Sequence, residues 1–179
     1  MRIIAGQYKG RRLAAPTWDG LRPTSDKLRE TLFNILAPRV EGARVVDGFA
    51  GTGAIGLEAL SRGAAHVTFI ERDRRAAALI ARNAAACGAE GRYTIESGDV
   101  ATVLRRSHDP AFDLIVLDPP YDETDIAGVL GAAAGRLDAN GLVVLERATR
   151  REPDVPPTLV RTRDVKSGDS TLTFLARHD

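Results

Sequence analysis

From Ala43 to Glu146 the chain alternates short β-branched runs with alanine- and leucine-rich helical stretches, and this rhythm leaves few folds open. Arg44-Val45-Val46-Asp47, His66 to Glu71, Arg92 to Glu96, Phe112 to Leu117 and Leu142 to Glu146 read as strands. Helical patterns fill the gaps, over Ala54 to Ser61, Asp73 to Cys87, about Val100 to Arg106 and roughly Asp125 to Leu137. Strands joined through helices run parallel, and a parallel sheet needs helices on both faces. The C-terminal end breaks the rhythm. Pro153, Pro156 and Pro157 interrupt, and Leu159 to Val165 and Thr171 to Ala176 then flank the turn Lys166-Ser167-Gly168-Asp169-Ser170, which predicts an antiparallel hairpin on the sheet edge. The expected fold is α/β, a seven-stranded, mostly parallel sheet with helices on both faces and an antiparallel C-terminal edge hairpin.

Ahead of this region, residues 2–13 read as a short hairpin in which Ile3-Ile4 and Arg12-Leu13 flank Gly6-Gln7-Tyr8-Lys9-Gly10. The loop Ala15 to Gly20 leads into a helix that Thr24 or Ser25 can cap, with Asp26 in its first turn and Pro38 at its end. Leu28, Leu32, Ile35 and Leu36 form its buried stripe, while Lys27 and Arg29 fall elsewhere on the wheel and are expected to face solvent or ligand. Residues 1–43 carry eight Lys/Arg against four Asp/Glu and the remainder 17 against 20, so the net charge of +1 divides into +4 and −3. A basic arm on a mildly acidic body suits a polyanionic partner, with a merely soluble surface as the alternative. Lys9, Arg11, Arg12, Arg22, Lys27 and Arg29 are the candidate nucleic-acid contacts. The expected division is a hairpin extension over residues 1–21 and one main domain over 22–179.

Several function classes drop out. Cys87 is the single cysteine, so an internal disulfide is excluded, and with three scattered histidines it forms no metal-ligand spacing. No apolar run approaches the roughly 18 residues of a membrane span. Met1 to Gly6 lacks a signal-peptide core. A cytoplasmic monomer without a metal or membrane partner is expected.

The stretch with the most unusual chemistry is Asp118-Pro119-Pro120-Tyr121, directly after the buried strand ending at Leu117. Each proline fixes its φ and lacks an N–H, and Pro119 also pushes Asp118 into an extended conformation. The loop is stiff and offers a carboxylate, free carbonyls and a flat ring together. Such a set can grip a planar group bearing an NH₂: Asp118 and a proline carbonyl accept its N–H bonds while Tyr121 stacks on its face. A rigid turn with a satisfied acid is the bland alternative.

A second constellation precedes it. Asp47-Gly48-Phe49-Ala50-Gly51-Thr52-Gly53 joins the first strand to the first helix of the alternating region, where glycines let backbone approach a ligand and the helix start exposes donors. Gly51, Gly53 and Gly56 match G-x-G-x-x-G, and Glu71 lies 20 residues past Gly51 at the end of the next strand, a position suited to a ribose diol. An NAD-dependent oxidoreductase is one reading. However, Asp47 and three more residues precede Gly51, which makes a wider loop with an acid at its root, suited to a zwitterionic amino-acid tail. Asp99 can accept an adenine amine. Asp47 also suits a turn brace and Asp99 a helix cap, but their joint placement at neighbouring strand ends favours a nucleoside site.

These residues carry a resemblance. Asp47 to Gly53 resembles motif I of class I S-adenosylmethionine-dependent methyltransferases (Rossmann-like), and Asp118-Pro119-Pro120-Tyr121 resembles the (D/N)PP(Y/F) motif of the branch that methylates amines. Arg2-Ile3-Ile4-Ala5-Gly6, Lys9 to Leu13, Arg22-Pro23-Thr24, Arg29 to Leu36 and Gly168-Asp169-Ser170 look like the RsmD family, bacterial methyltransferases acting on guanine N2 of small-subunit ribosomal RNA. The resemblance spans essentially the whole chain. It implies S-adenosylmethionine as cofactor, held by Asp47, Gly51, Gly53, Glu71 and Asp99. It also implies catalysis by Asp118, Pro119 and Tyr121 with no metal, and 16S rRNA, free or in an assembling 30S particle, as partner. DNA adenine or protein glutamine methylation would use the same motif, but 179 residues leave no room for a separate target-recognition domain.

Overall fold

The computed structural model describes residues 1–21 and 24–178. Seven strands form one sheet: β1 (Arg44–Gly48), β2 (His66–Glu71), β3 (Tyr93–Ser97), β4 (Phe112–Leu117), β5 (Leu137–Ala148), β6 (Leu159–Ser167) and β7 (Ser170–Arg177). Their spatial order is β3-β2-β1-β4-β5-β7-β6. Pairings from β3 through β5 are parallel, and β7 enters antiparallel between β5 and the edge strand β6. The expected mostly parallel sheet with an antiparallel C-terminal hairpin is the observed one.

The helices are α1 (Asp26–Val40), α2 (Ala54–Ser61), α3 (Arg74–Cys87), α4 (Val100–Arg106) and α5 (Ile126–Ala134). Alternate strand residues divide between two cores. Val45, Val67, Phe69, Leu114 and Val144 pack against α1, α2 and α3, whereas Val46, Ile70, Ile115, Leu117 and Val143 pack against α4 and α5. Period-two alternation in strands buried on both sides produces this division.

Four expectations need correction. Pro38 lies inside α1, which continues to the buried Val40; a proline this near a helix end removes one hydrogen bond, and burial of Val40 outweighs that. The helix expected to reach Leu137 stops at Ala134, and Leu137 instead opens β5, whose pairing with β4 jumps from Phe112↔Leu137 to Leu114↔Leu142 around Asp138-Ala139-Asn140-Gly141. The N-terminal hairpin contributes a single antiparallel bridge, Arg2↔Arg12, rather than two strands. Its Ile3, Tyr8 and Leu13 are buried in the same core as α1 to α3.

The fourth concerns Arg29. It does not face solvent: the residue is 0% exposed, with Nη2 donating to the Arg2 carbonyl (2.6 Å) and to Asp26 (2.8 Å). Desolvation pulls its guanidinium below the ordinary value, while the Glu58 and Asp26 charges pull it back. A long stem can lie along apolar surface while its head binds backbone, and here the head fastens the N-terminal segment to α1. Arg29 is therefore removed from the nucleic-acid contacts.

Glu58 in α2 does the same from the other side. Fully buried, it accepts the backbone N–H groups of Ile4 (2.8 Å) and Ala5 (3.0 Å) and pairs with Arg62. Gly6, at φ 81°, lies so close to the Ser61 carbonyl that a Cβ would sit 1.9 Å from its oxygen. Only glycine lets the segment dock there.

Candidate active site

The carboxyl ends of the parallel strands open on a cavity of about 560 Å³. It is lined by Phe49 to Thr52 after β1, Glu71 to Asp73 after β2, Gly98 to Val100 after β3 and Asp118 to Tyr121 after β4. Glu146 near the end of β5, the hairpin turn residues Ser167, Asp169 and Ser170, and Thr24, Ser25 and Leu28 at the start of α1 complete the wall. Among the described lining residues, seven are acidic and one, Arg72, is basic. The cavity therefore suits groups that donate hydrogen bonds or carry positive charge, not phosphate.

In the first half, the backbone is shaped by glycine. Gly51 and Gly53 have φ of 58° and 77°, and Phe49, not a glycine, is also held at 60°. A Cβ on Gly56 would lie 2.3 Å from the Phe69 ring, so glycine there lets α2 lie directly on β2. Asp47 is buried, and its Oδ2 accepts the Gly56 N–H at 2.8 Å. Burial pushes its carboxyl well above the usual carboxylate range; the Gly56 N–H opposes this, and the charges of Asp118 and Glu71 add to the rise. Glu71 accepts from the N–H of Gly51 (2.9 Å) and of Asp73 (2.8 Å), one to each oxygen. Asp99 caps α4 through the Thr102 N–H (2.9 Å) while its residue lines the cavity. Brace and ligand roles are thus compatible: each acid fixes backbone and still faces the cleft.

In the second half, the Thr24 hydroxyl donates to Asp118 Oδ2 at 2.6 Å. The Asp118 N–H reaches the Gly48 carbonyl at 3.4 Å, and the Glu123 N–H closes the loop on the Pro120 carbonyl at 3.0 Å. Tyr121 is 46% exposed at the rim, and its carbonyl accepts from Arg151. Leu117 pairs with Leu145, so Asp118 and Glu146 follow side by side at the ends of adjacent parallel strands. Ser170, which opens β7, donates to Glu146 Oε1 at 3.2 Å.

Asp47, Gly51, Glu71, Asp99, Asp118, Pro119 and Tyr121 all come together in this cavity, with Gly53 just behind it as the cap of α2. The basic set does not. Lys9, Arg12 and Lys27 are exposed away from the lining. Arg11 lies over the Tyr8 ring (5.2 Å) and donates to the Ala86 and Cys87 carbonyls, capping α3. Arg22 lies outside the described residues. Sequence reasoning missed Thr24, which reads there as a helix cap, and Glu146. The signal for Glu146 was present, because Asp47, Glu71 and Asp118 are likewise acids at strand ends.

Nearly the whole chain matches a known family. A family model described as "Conserved hypothetical protein 95" matches residues 1–176. The chain belongs to this family, the RsmD family. Among its relatives, "Ribosomal RNA small subunit methyltransferase D" of Escherichia coli K12 is 40% identical over 155 residues, covering 87% of this chain and 75% of that one. The protein of the same name from Haemophilus influenzae is 42% identical over 123 residues, 68% of this chain and 64% of the relative's own length. The solved structure of Escherichia coli yhhF superposes with a TM-score of 0.87 at 32% identity, covering 99% of this chain and 97% of that one. The fold of this RsmD-family chain is that of class I methyltransferases.

Among the described residues no group of His, Cys, Asp and Glu could hold a metal ion, and no helix is long and apolar enough to cross a membrane.

Proposed function

We propose that this chain is an S-adenosylmethionine-dependent enzyme that methylates the exocyclic N2 amine of a guanine in small-subunit (16S) ribosomal RNA. Membership of the RsmD family supports an rRNA methyltransferase. The observation that carries the amine is Asp118, its carboxylate braced by the Thr24 hydroxyl beside the Pro119 carbonyl and the rim ring of Tyr121. The residues present fit the donor: a cavity with seven acids and one base among its described lining matches a molecule bearing both a sulfonium and an ammonium. Glu71 would take its ribose diol, Asp99 its adenine amine, and the loop from Asp47 to Gly53 its amino-acid tail. When bound, the donor supplies an electrophilic methyl group.

The chain's own work lies at the acceptor. A guanine amine is a weak nucleophile because its lone pair is delocalised into the ring. Asp118 and the Pro119 carbonyl accept both N–H groups, aim the lone pair, and stabilise the positive charge that grows on nitrogen until a proton leaves. Tyr121 stacks on a base that has left its own stack. The exposed Lys9, Arg12 and Lys27 hold phosphate outside the acidic cavity. The test is incubation with labelled S-adenosylmethionine and hypomethylated 16S rRNA or 30S particles, followed by nucleoside analysis. Label in N2-methylguanosine is the expected result; label elsewhere, or none, overturns the reading.

A further inference from the structure

We infer that Glu146 selects the base, by accepting the ring N1–H of guanine while Asp118 and Pro119 hold the adjacent amine. This rests on the guanine N2 reading above and adds a residue that decides which base the site admits. The argument begins with register. Leu117 pairs with Leu145, which sets Asp118 and Glu146 side by side, and both residues line the same cavity. The two acids are held by different elements: Thr24 at the head of α1 donates to Asp118, and Ser170 at the start of β7 donates to Glu146. Each hydroxyl occupies one lone pair of its acid and leaves the others to accept from a ligand. Two neighbouring acidic acceptors thus line the wall beside Tyr121.

The bases differ in what they offer along such a wall. Guanine presents N1–H beside its C2 amine, a continuous row of donors. Adenine presents its amine beside a bare N1, and cytosine beside a bare N3, so either would set a ring lone pair against the Glu146 carboxylate. A site built to bond a donor rejects an analogue that lacks it, because its buried polar group is left facing a repelling partner. Asp118 alone grips any amine. Glu146 supplies the discrimination, and the hairpin carrying Ser170 supplies its aim.

The critical probe is 2-aminopurine, which keeps the C2 amine of guanine but has no N1–H. Once the methylated nucleotide in 30S particles is mapped with the wild-type protein, guanine or 2-aminopurine is placed there in rRNA assembled by ligation. Single-turnover rates are then compared for wild type, Glu146→Gln and Ser170→Ala, with donor affinity measured alongside. Wild type is expected to favour guanine by roughly ten- to hundredfold, the range of one hydrogen bond to a charged group. Glu146→Gln, whose amide can donate to a bare N1, narrows that preference to within a fewfold, at unchanged donor affinity. Ser170→Ala narrows it less. Equal wild-type rates on the two bases, or an undiminished preference in Glu146→Gln, overturn the inference. A wild-type protein that produces no N2-methylguanosine fails earlier, at the function itself.

Discussion

The two halves of the cavity are built by opposite means. Around the donor, every acid is tied to main chain: Asp47 to Gly56, Glu71 to Gly51 and Asp73, Asp99 to Thr102. Around the acceptor, the two strand-end acids are each held by a side-chain hydroxyl, Thr24 for Asp118 and Ser170 for Glu146. Backbone amides cannot rotate away, so the half proposed for the donor is braced by the fold itself. Hydroxyl contacts are easily varied by single substitutions, and Tyr121 stands open at the rim. On the proposed function, the backbone-braced half would hold the methyl donor and the hydroxyl-braced half the amine.

The sharpest break in this symmetry is Asp118→Ala. Loss of one preorganised electrostatic partner lowers rates by about 10²–10³, and single-turnover methylation of rRNA is expected to fall by that much with donor affinity retained. Glu71→Ala strikes the other half. A charge-assisted contact to the ribose is worth on the order of 1.5–3 kcal/mol, so calorimetry should show donor binding weakened by tenfold or more. Because Glu71 also holds the Gly51 amide, the loop from Asp47 to Gly53 should lose hydrogen-exchange protection in the same variant.

Thr24→Val removes only the hydroxyl that steadies Asp118. A hydrogen bond to a carboxylate contributes at least about 1.5 kcal/mol, which corresponds to a roughly tenfold slower single turnover, again without change in donor affinity. An unchanged rate would mean that Asp118 needs no brace.

Asp47 gives a pH signature. Its folded carboxyl is held above the ordinary range mainly by burial, so the folded state keeps a proton that the unfolded chain has already released. Between the unfolded value of about 3.9 and the raised folded value, this group makes stability fall as pH rises. Asp47→Asn retains an oxygen for the Gly56 N–H and cannot titrate. Thermal unfolding across that window should therefore show a smaller decline, or a steeper rise, for the variant than for wild type.

The smallest effect concerns the surface. Replacing Lys9 and Arg12 by alanine should weaken rRNA binding and reduce the slope of log affinity against log salt by about 0.7–0.9 for each phosphate that is no longer neutralised. An unchanged slope would place the RNA on another face.

The parts legible in the sequence are those fixed by local pattern. Val45-Val46, Phe69-Ile70 and Leu114-Ile115-Val116-Leu117 announce buried strands by unbroken apolar runs, and the acid after such a run marks the ligand side of a parallel sheet. What stayed hidden depends on partners distant in the chain. Arg29 reads as a surface residue on a helical wheel, yet its partner is the carbonyl of Arg2, brought beside it by the N-terminal segment. Nor does the sequence show that Arg11, a candidate RNA contact, also donates to the carbonyls at the C-terminus of α3. Thr24 fits a helix cap equally well, but Ser25 takes that role by accepting from Leu28, and Thr24 is left for Asp118, 94 residues away. Residues 1–21 read as a hairpin extension, and only distant packing reveals that Ile3, Tyr8 and Leu13 are buried in the core with α1 to α3.

The division of labour itself is tested most directly by a crossed measurement. Asp118→Ala and Glu71→Ala are each assayed for S-adenosylmethionine affinity and, at saturating donor, for single-turnover methylation of 16S rRNA or 30S particles. The two halves predict opposite failures: Asp118→Ala binds the donor as wild type does and turns over about 10²–10³ more slowly, whereas Glu71→Ala binds poorly and, once saturated, turns over within a few fold of wild type. Near-normal turnover in Asp118→Ala, or equal loss of both quantities in both variants, would contradict the account.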